Sequence, residues 1–379
     1  MDRMLLLAGE ESGELYARQI REAVLRAAPA AEIRGYSDAG FEISDLAVMG
    51  ILGVLRKIFF FMRVKRTMMR MIDEWRPDVV CTVDYPGMNL RLAAYAKSRG
   101  IRTVHVVCPQ VWAWKRGRIP KIEASLDCLC CFFPFEPALF KPGFATFVGH
   151  PLAWSWAKEE EGRRKKEEGA SGKLLAVLPG SRIGEIRHHM STLMAAVDRL
   201  RAEVHGLKVV VPAANEKAYR AILGEMPRSG AVDGVEVRLG GAREVLREAD
   251  AAVVASGTAT LEAALAGCPT VLVYKVDPVF AFLARRFIKG VRHIGLANII
   301  AEKAGAECPM PELLQEDFTA EAVAGRLKEW LTDAAANALA RRRLSETVSS
   351  LRTGVDPIAA IVKDAGIAIP AGPGGEVLV

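Results

Sequence analysis

A stretch in the second half of the chain has the residue types that bind phosphate. LPGSRIGE, residues 178–185, ends an apolar run with Gly180, Ser181 and Arg182. A turn at a helix N-terminus offers free backbone N–H groups, and a guanidinium offers a fixed fork of donors. The stretch could therefore hold a diphosphate leaving group, and a surface arginine without a ligand is the alternative.

A second stretch, ASGTATLEAALAGCP (residues 255–269), repeats this design. Its residues Ser256, Gly257 and Thr258 can meet phosphate through backbone N–H groups and hydroxyls. Glu262 lies one turn inside the following helix, where it could reach ribose hydroxyls. Helix capping is the alternative for Glu262, and its spacing of about four residues from the cap disfavours it.

The first half carries a candidate base. Asp84 follows an apolar run in VDYPGMN, residues 83–89, and a carboxylate at a strand end could take a proton from a sugar hydroxyl. A turn-forming aspartate before Tyr85-Pro86 is an equal alternative.

The stretch AGEESGE, residues 8–14, forms another predicted strand-to-helix turn. Gly9, Ser12 and Gly13 allow either a substrate loop or a plain turn with Ser12 as its cap. Its spacing is not GxGxxG, so no dinucleotide cofactor is predicted.

An aromatic, basic segment lies at residues 108–118, CPQVWAWKRGR. Trp112 and Trp114 could stack on nucleic-acid bases, line an acceptor site, or pack between a loop and the core. Because the segment follows a predicted strand, we favour the acceptor site and predict no nucleic-acid partner.

Cysteine and histidine spacing predicts no metal site. Cys128, Cys130 and Cys131 lack paired CxxC spacing, and in a strand Cys130 and Cys131 face opposite ways. We expect the adjacent His188 and His189 to be solvated helix residues.

Short apolar runs, each followed by a turn and a helical pattern, recur through both halves of the chain. The alternation predicts an α/β protein with parallel strands and two Rossmann-like domains. We expect an N-terminal domain over 1–156, a charged linker over 157–172 and a C-terminal domain over 173–345. A helix and tail over 346–379 are expected to pack back on the N-terminal domain.

Bulk composition agrees with this plan. A chain of 379 residues is longer than one hydrophobic core usually serves, so two domains are expected. Its net charge of +6 favours anionic partners. Seven cysteines, several of them inside apolar runs, are typical of a reducing compartment. Since no window of about 18 uncharged apolar residues occurs, no spanning helix is expected, and the predicted location is cytoplasmic.

The segment LRKIFFFMRVKRTMMRMI, residues 55–72, is rich in both apolar and basic residues. Wound as a helix, it has a broad apolar arc edged by arginines, which fits either burial against the sheet or contact with an anionic membrane. Lys57 and Lys65 fall within that arc and disfavour full burial. A membrane contact would be made by Arg56, Lys57, Phe59, Phe60, Phe61, Arg63 and Arg66, with the phenylalanine run deepest.

Taken in order, these motifs resemble the lipid-A-disaccharide synthase family along nearly the whole chain. The stretches that carry the resemblance are AGEESGE, LAVMGI, CPQVWAW, FPFE, VGHP, LPGSR, SGTATLE, LANIIA and PELLQ. The resemblance implies a GT-B glycosyltransferase with a cleft between its two domains. The N-terminal domain would be the acceptor and membrane-facing domain, and the C-terminal domain would bind the UDP-sugar donor. It implies an inverting transfer from UDP-2,3-diacylglucosamine to 2,3-diacylglucosamine 1-phosphate on the inner face of the inner membrane, with no cofactor or metal.

Matched residue by residue, the resemblance implies catalytic roles for Asp84, Arg182 and Asn298. We also assign Lys275 to the donor side, and Asn89 and His150 to the acceptor side. The chain departs from the family pattern where Gly53 and Gly87 replace carboxylates, which leaves acceptor preference open.

Two other readings remain. A UDP-sugar 2-epimerase or a peptidoglycan-lipid glycosyltransferase would share the fold and the ribose-binding glutamate. A basic membrane- or RNA-binding module without catalysis would bind anionic polymers in a steeply salt-dependent way.

Overall fold

The computed structural model describes residues 2–42, 58–161, 173–226, 234–276 and 292–367. The chain divides into two compact units, which we call unit 1 (Met1–Ser155 with Leu351–Val379) and unit 2 (Trp156–Ser350). Each unit contains a six-stranded parallel sheet with flanking helices, so the predicted α/β class is confirmed. Of the predicted linker, residues 157–161 are helical and 162–172 lie outside the described residues.

The sheet of unit 1 has the order β2-β1-β3-β4-β5-β6. Its central strands are apolar and buried on both faces, as parallel strands between helices must be. The strands are β1 (Arg3–Ala8), β2 (Glu32–Arg34), β3 (Val79–Val83), β4 (Arg102–Val106), β5 (Cys128–Cys131) and β6 (Ala145–Phe147). The helices are Glu11–Ala27, Ile58–Trp75, Pro86–Ser98, Ile119–Ser125 and Pro357–Asp364, and Pro151–Glu161 contains the division between units.

The sheet of unit 2 has the order β12-β11-β10-β7-β8-β9. Its strands are β7 (Leu174–Leu178), β8 (Lys208–Ala213), β9 (Val235–Leu239), β10 (Ala251–Ala255), β11 (Thr270–Tyr274) and β12 (Glu312–Leu314). Its helices are Ile183–Glu203, Glu216–Glu225, Ala242–Glu248, Thr258–Leu265, Leu296–Lys303, Ala320–Thr332 and Ala334–Ser349.

Each sheet has one switch point, where the chain begins to add strands in the opposite direction. In unit 1 it lies between β1 and β3, and in unit 2 between β7 and β10. Ligands of open α/β sheets bind beyond the strand ends at such points. The four loops singled out from the sequence, at residues 8–14, 83–89, 178–185 and 255–258, follow these four strands.

The C-terminal helix Pro357–Asp364 belongs to unit 1. Ile358, Ile361 and Val362 are buried in the same core cluster as β1, β3 and β4. Asp356 caps the helix by accepting the N–H of Ile358 at 2.9 Å. Burial of this face keeps the helix against the first sheet.

The helix Ile58–Trp75 is amphipathic. Val64, Met68, Ile72 and Trp75 form its buried stripe, at helical spacing against the sheet. Across the described ranges of the chain, no helix combines the length and apolar character needed to cross a bilayer.

Candidate functional site

Asp84 and Tyr85 form a strained turn directly after β3. Both have left-handed backbones, with φ of 49° and 51°, which are uncommon for residues other than glycine. The Asp84 N–H donates to the carbonyl of Val106 at 2.9 Å, and the Tyr85 N–H donates to Asp84 Oδ1 at 2.8 Å. Pro86 then begins the next helix. The turn holds the Asp84 carboxylate at the switch point of unit 1.

Asn89 holds this turn from beneath. Its Nδ2 donates to the carbonyls of Leu7 (3.2 Å), Val83 (3.1 Å) and Asp84 (2.8 Å), and its Oδ1 accepts the hydroxyl of Tyr36 at 2.8 Å. The residue is fully buried. Because its carboxamide is already engaged, the structure places Asn89 as a positioning residue for Asp84 and not as the acceptor contact expected from the sequence.

Two glycines of the first loop allow the two loops to approach. A Cβ on Gly9 would lie 2.3 Å from the Tyr85 ring, and one on Gly13 would lie 3.3 Å from the Val83 carbonyl oxygen. A side chain at Gly9 would therefore displace Tyr85. The side chain of Ser12 lies outside the described part of the structure.

Asp84 lines a cavity of about 280 Å³. The cavity brings Asp84 together with the predicted Trp112 and Trp114. It is also lined by three charged residues to which the sequence patterns assign no role: Glu10, Arg118 and Glu136. Glu10 follows Gly9 in the AGEESGE stretch. Its place in this glycine-containing turn is the only local sequence feature that could have marked it as a site residue.

Burial controls the charges in this cavity. It raises the pKa of Asp84 above its usual value, although the Tyr85 N–H partly opposes the shift. The pKa of Glu10 is raised by burial and then by the charge of Asp84. A carboxylate whose pKa moves toward neutrality is a better general base than a free aspartate.

The far wall of the cavity is an aromatic and carboxylic cluster. Trp112 Nε1 donates to Glu136 Oε1 at 3.2 Å, and the Phe133 N–H donates to Glu136 Oε2 at 3.1 Å. Burial raises the pKa of Glu136 to about 8. Trp114 is exposed, whereas the buried His150 packs against Phe133 with ring centroids 5.7 Å apart. His150 thus contacts the wall of the cavity and does not line it.

Because His150 is buried, we expect it to make the protein measurably less stable in acid. Its Nδ1 accepts the Leu152 N–H at 3.2 Å, and burial lowers its pKa to about 4. Because the unfolded state binds this proton near pH 6.5, the His150 contribution to stability falls between pH 6.5 and 4, by roughly 3 kcal/mol in all. His150→Asn keeps an acceptor but cannot titrate, so urea unfolding should show a smaller loss between pH 7 and 5 than wild type.

The raised pKa of Glu136 changes stability with pH in the opposite direction. Between about pH 4.5 and 8 the folded state binds the extra proton, so this contribution to the free energy of unfolding falls as the pH rises. The informative quantity is therefore the difference in the free energy of unfolding between wild type and His150→Asn at each pH. An identical pH dependence in both proteins would contradict burial of a neutral His150.

In unit 2, two helices begin at the switch point without side-chain caps. Arg182 is the N-cap of Ile183–Glu203 and Gly257 that of Thr258–Leu265, and neither provides a capping side chain. Three other helices of this unit are capped by Asn215, Thr319 and Asp333, whereas Ala242–Glu248 and Leu296–Lys303 also begin without a side-chain cap. The free N–H groups at both N-termini favour an anion.

Arg182 and Gly180 shape the first of these N-termini. The Arg182 side chain is 62% exposed and its Nη1 lies 2.7 Å from Glu185 Oε1. Gly180 has φ of 117°, and a Cβ there would lie 2.7 Å from Glu185 Oε2. Ser181, Gly257, Thr258 and Lys275 are exposed and Ser256 is half-buried, so these predicted donor residues are accessible.

His189 is fully buried, which corrects the expectation that it is solvated. Its Nδ1 lies 2.7 Å from the Pro179 carbonyl oxygen, and its Nε2 accepts the Lys275 N–H at 3.0 Å. The ring therefore joins the loop after β7 to the residue after β11. Burial lowers the pKa of His189, so the neutral ring with the proton on Nδ1 satisfies both contacts.

Glu262 is half-buried beside Arg243, whose Nε lies 3.3 Å from Glu262 Oε1. Arg243 also contacts Glu159, with Nη1 3.4 Å from Oε1. These contacts orient the Glu262 carboxylate without covering it.

Asn298 is fully buried and its side chain is engaged. Its Nδ2 donates to the Met310 carbonyl (2.7 Å) and to Glu312 Oε1 (2.9 Å), and its Oδ1 accepts the Met310 N–H (3.0 Å). The expected direct catalytic role does not fit this geometry. Asn298 instead clamps the helix Leu296–Lys303 to the segment before β12.

Two groups of side chains in the described ranges have the types and proximity of metal ligands. One is Cys108, Cys131 and Glu136, and the other is Cys128, Cys130 and Asp364. Their members come from separate parts of the chain, so sequence spacing could not identify them.

The helix Ile58–Trp75 divides the predicted membrane contacts. Phe59 is 82% exposed, and Ile58 and Met62 are also exposed beside the exposed Arg63 and Arg66. Phe60 and Phe61 instead pack against the core, and Phe60 meets Phe41 at a centroid distance of 5.9 Å. This corrects the idea that all three phenylalanines project together. Arg56 and Lys57 lie outside the described residues.

Comparison with known proteins supplies the family. A family model described as Lipid-A-disaccharide synthetase matches residues 4–355. The lipid-A-disaccharide synthase of Chromohalobacter salexigens is 36% identical over 372 residues, covering 94% of this chain and 95% of that protein. That of Xanthomonas campestris is 38% identical over 344 residues, covering 86% of this chain and 78% of that protein.

Solved structures agree on the fold. The S. aureus protein MnaA, solved with UDP, has a TM-score of 0.59 at 13% identity and covers 95% of each chain. The calicheamicin glycosyltransferase CalG4 has a TM-score of 0.58 at 16% identity, covering 97% of this chain and 98% of that chain. The whole-length family match, on two parallel sheets of this architecture, shows that the chain belongs to the lipid-A-disaccharide synthase family of GT-B glycosyltransferases.

Proposed function

We propose that this protein condenses UDP-2,3-diacylglucosamine with 2,3-diacylglucosamine 1-phosphate, giving the β-1,6 disaccharide 1-phosphate and UDP. The observation that carries the chemistry is Asp84, a half-buried carboxylate with a raised pKa at the switch point of unit 1. Family membership supplies the reaction class, and the identity of the two substrates is part of the proposal.

The mechanism is a single displacement. Asp84 takes the proton of the acceptor 6-hydroxyl as that oxygen attacks the anomeric carbon of the donor. The bond from this carbon to the diphosphate breaks on the opposite side, so the configuration inverts. No covalent sugar–enzyme intermediate is required.

Unit 2 binds the leaving group in this proposal. The uncapped N-termini at Ile183 and Thr258 stabilise negative charge on the departing UDP, and Arg182 exchanges Glu185 for a phosphate oxygen. Glu262 accepts ribose hydroxyls. In unit 1, Arg118 lines the Asp84 cavity and is a candidate partner for the acceptor phosphate.

The decisive experiment supplies both substrates to the purified protein and detects UDP and disaccharide by mass spectrometry. UDP should appear only when the acceptor is present, whereas a 2-epimerase would act without it. Absence of both products under conditions where the protein is folded would overturn the proposal.

Arg182→Ala should weaken UDP binding by about tenfold or more, because a charge-assisted phosphate contact contributes roughly 1.5–3 kcal/mol. Isothermal titration with UDP measures the change. Arg187→Ala is the matched control, since Arg187 lies exposed on the same helix near Glu225, at 3.8 Å. Equal UDP affinity in wild type and Arg182→Ala would remove Arg182 from the donor site.

We further propose that Phe59 inserts into an anionic membrane at the cytoplasmic face of the inner membrane, with Ile58 and Met62 beside it. Phe59→Ser should weaken binding to vesicles containing anionic lipid by about tenfold, since burying a phenylalanine contributes roughly 1.5–3 kcal/mol. The melting temperature should not change, because the side chain is exposed.

Phe60→Ser is the contrasting variant. It removes a ring packed on Phe41 and should lower the melting temperature. Vesicle binding that is unaffected by Phe59→Ser would assign this helix to the protein core alone.

A further inference from the structure

Strand β5 presents thiols on both faces. Cys128 and Cys130 are two residues apart and point the same way, whereas Cys131 points to the opposite side. The first pair faces the C-terminal helix Pro357–Asp364, which returns to unit 1 more than 200 residues later in the sequence. Asp364, the last residue of that helix, therefore becomes their neighbour only through the fold.

The three side chains converge on one point. Asp364 Oδ2 lies 3.7 Å from Cys128 Sγ and 3.7 Å from Cys130 Sγ, and all three ligand atoms lie within 4.8 Å of one another. In a tetrahedral zinc site, bond lengths of roughly 2.3 Å to sulfur and 2.0 Å to oxygen put sulfur and oxygen about 3.5 Å apart. The observed spacing is close to that value without a rearrangement of the backbone.

The position of the carboxylate favours a cation. Asp364 lies at the C-terminal end of its helix, where the helix dipole disfavours negative charge. The neighbouring Arg102 donates to the backbone carbonyl of Asp364, with Nη2 at 2.7 Å. Cys128 and Asp364 are half-buried, so a metal ion and one water molecule can reach the site from solvent.

The other thiol group is less suitable. Cys108, Cys131 and Glu136 are all buried, and both Glu136 oxygens already accept N–H groups, from Trp112 and Phe133. Binding a cation there would compete with two existing hydrogen bonds inside the Asp84 cavity.

We propose that Cys128, Cys130 and Asp364 form a binding site for a thiophilic divalent cation of the Zn²⁺ type, with water in the fourth position. Binding replaces the two thiol protons by the metal and releases them to solvent. The ion would join the C-terminal helix to β5 and so fasten this helix to the first sheet. This site is independent of the proposed reaction.

The test uses the reduced, metal-free full chain titrated with Co²⁺. One equivalent should bind and give the near-ultraviolet charge-transfer band of thiolate ligation, with visible bands of tetrahedral cobalt, and Zn²⁺ should remove both. Cys128→Ser should abolish or strongly weaken the thiolate band. Asp364→Asn should weaken binding by about tenfold or more, and Cys131→Ser, on the other face of the strand, should bind like wild type.

Mass spectrometry after iodoacetamide treatment gives a second readout that needs no variant. Zn²⁺ should slow alkylation of Cys128, and removal of the ion with a chelator should restore the rate. The proposal is overturned if wild type shows no thiolate–cobalt band, or if the band survives Cys128→Ser and disappears in Cys131→Ser. Equal alkylation of Cys128 with and without Zn²⁺ would also refute it.

Discussion

Asp84→Asn should lower kcat by about 10²- to 10⁴-fold, the usual contribution of a positioned general base. Asparagine has the same shape and its Oδ1 can still accept the Tyr85 N–H, so the strained turn should persist. The substitution removes only the ability to take a proton from the acceptor hydroxyl. Steady-state UDP release with both substrates measures the loss.

Two measurements separate loss of the base from loss of structure. UDP affinity and the melting temperature of Asp84→Asn should stay close to wild type, because donor binding is assigned to unit 2. Asp198→Asn, at an exposed position on the helix Ile183–Glu203, provides the matched control and should retain full activity. Near-normal kcat in folded Asp84→Asn would exclude Asp84 as the base.

Asn89→Leu should destabilise unit 1 by about 3–5 kcal/mol and also lower kcat. Leucine has a similar size but leaves several buried partners of the carboxamide without it, among them the Asp84 carbonyl and the Tyr36 hydroxyl. Because the turn then loses its support, Asp84 should move even in molecules that remain folded. Urea unfolding and kcat at low temperature measure the two effects.

Tyr36→Phe gives a graded comparison. It removes only the hydrogen bond to Asn89 Oδ1 and should cost about 1 kcal/mol while leaving kcat nearly unchanged. If Asn89→Leu proved as mild as Tyr36→Phe in both measurements, the hydrogen bonds of Asn89 to the Asp84 turn would have no energetic importance.

The general architecture was readable from local sequence patterns. Apolar runs of strand length, each followed by a glycine-containing turn and a helical pattern, are local properties, and they predicted the parallel sheets. The same patterns placed Asp84, Ser181 and Gly257 beyond strand ends, where the structure also has them. The family followed from the order of short motifs, and residues 4–355 match its model.

Side-chain roles were less readable, because they depend on neighbours distant in sequence. Asn89 and Asn298 have the types expected of ligand contacts, yet each is buried with its carboxamide engaged by backbone groups. The sequence predicts His189 to be a surface residue like its neighbour His188. In the folded protein it is buried between two loops. Residue type alone does not reveal which carbonyls will surround an amide or an imidazole.

The sequence by itself determined the α/β class, the loops proposed to bind phosphate, the candidate base and the family. Only the tertiary structure decided that Phe59 is exposed while Phe60 and Phe61 pack on the core, that Glu10 shares the cavity of Asp84, and that Asp364 meets Cys128 and Cys130. The reason is physical. Strands and turns follow from local backbone preferences and periodicity, whereas burial, pKa and ligand geometry arise from contacts that exist only after distant segments have packed.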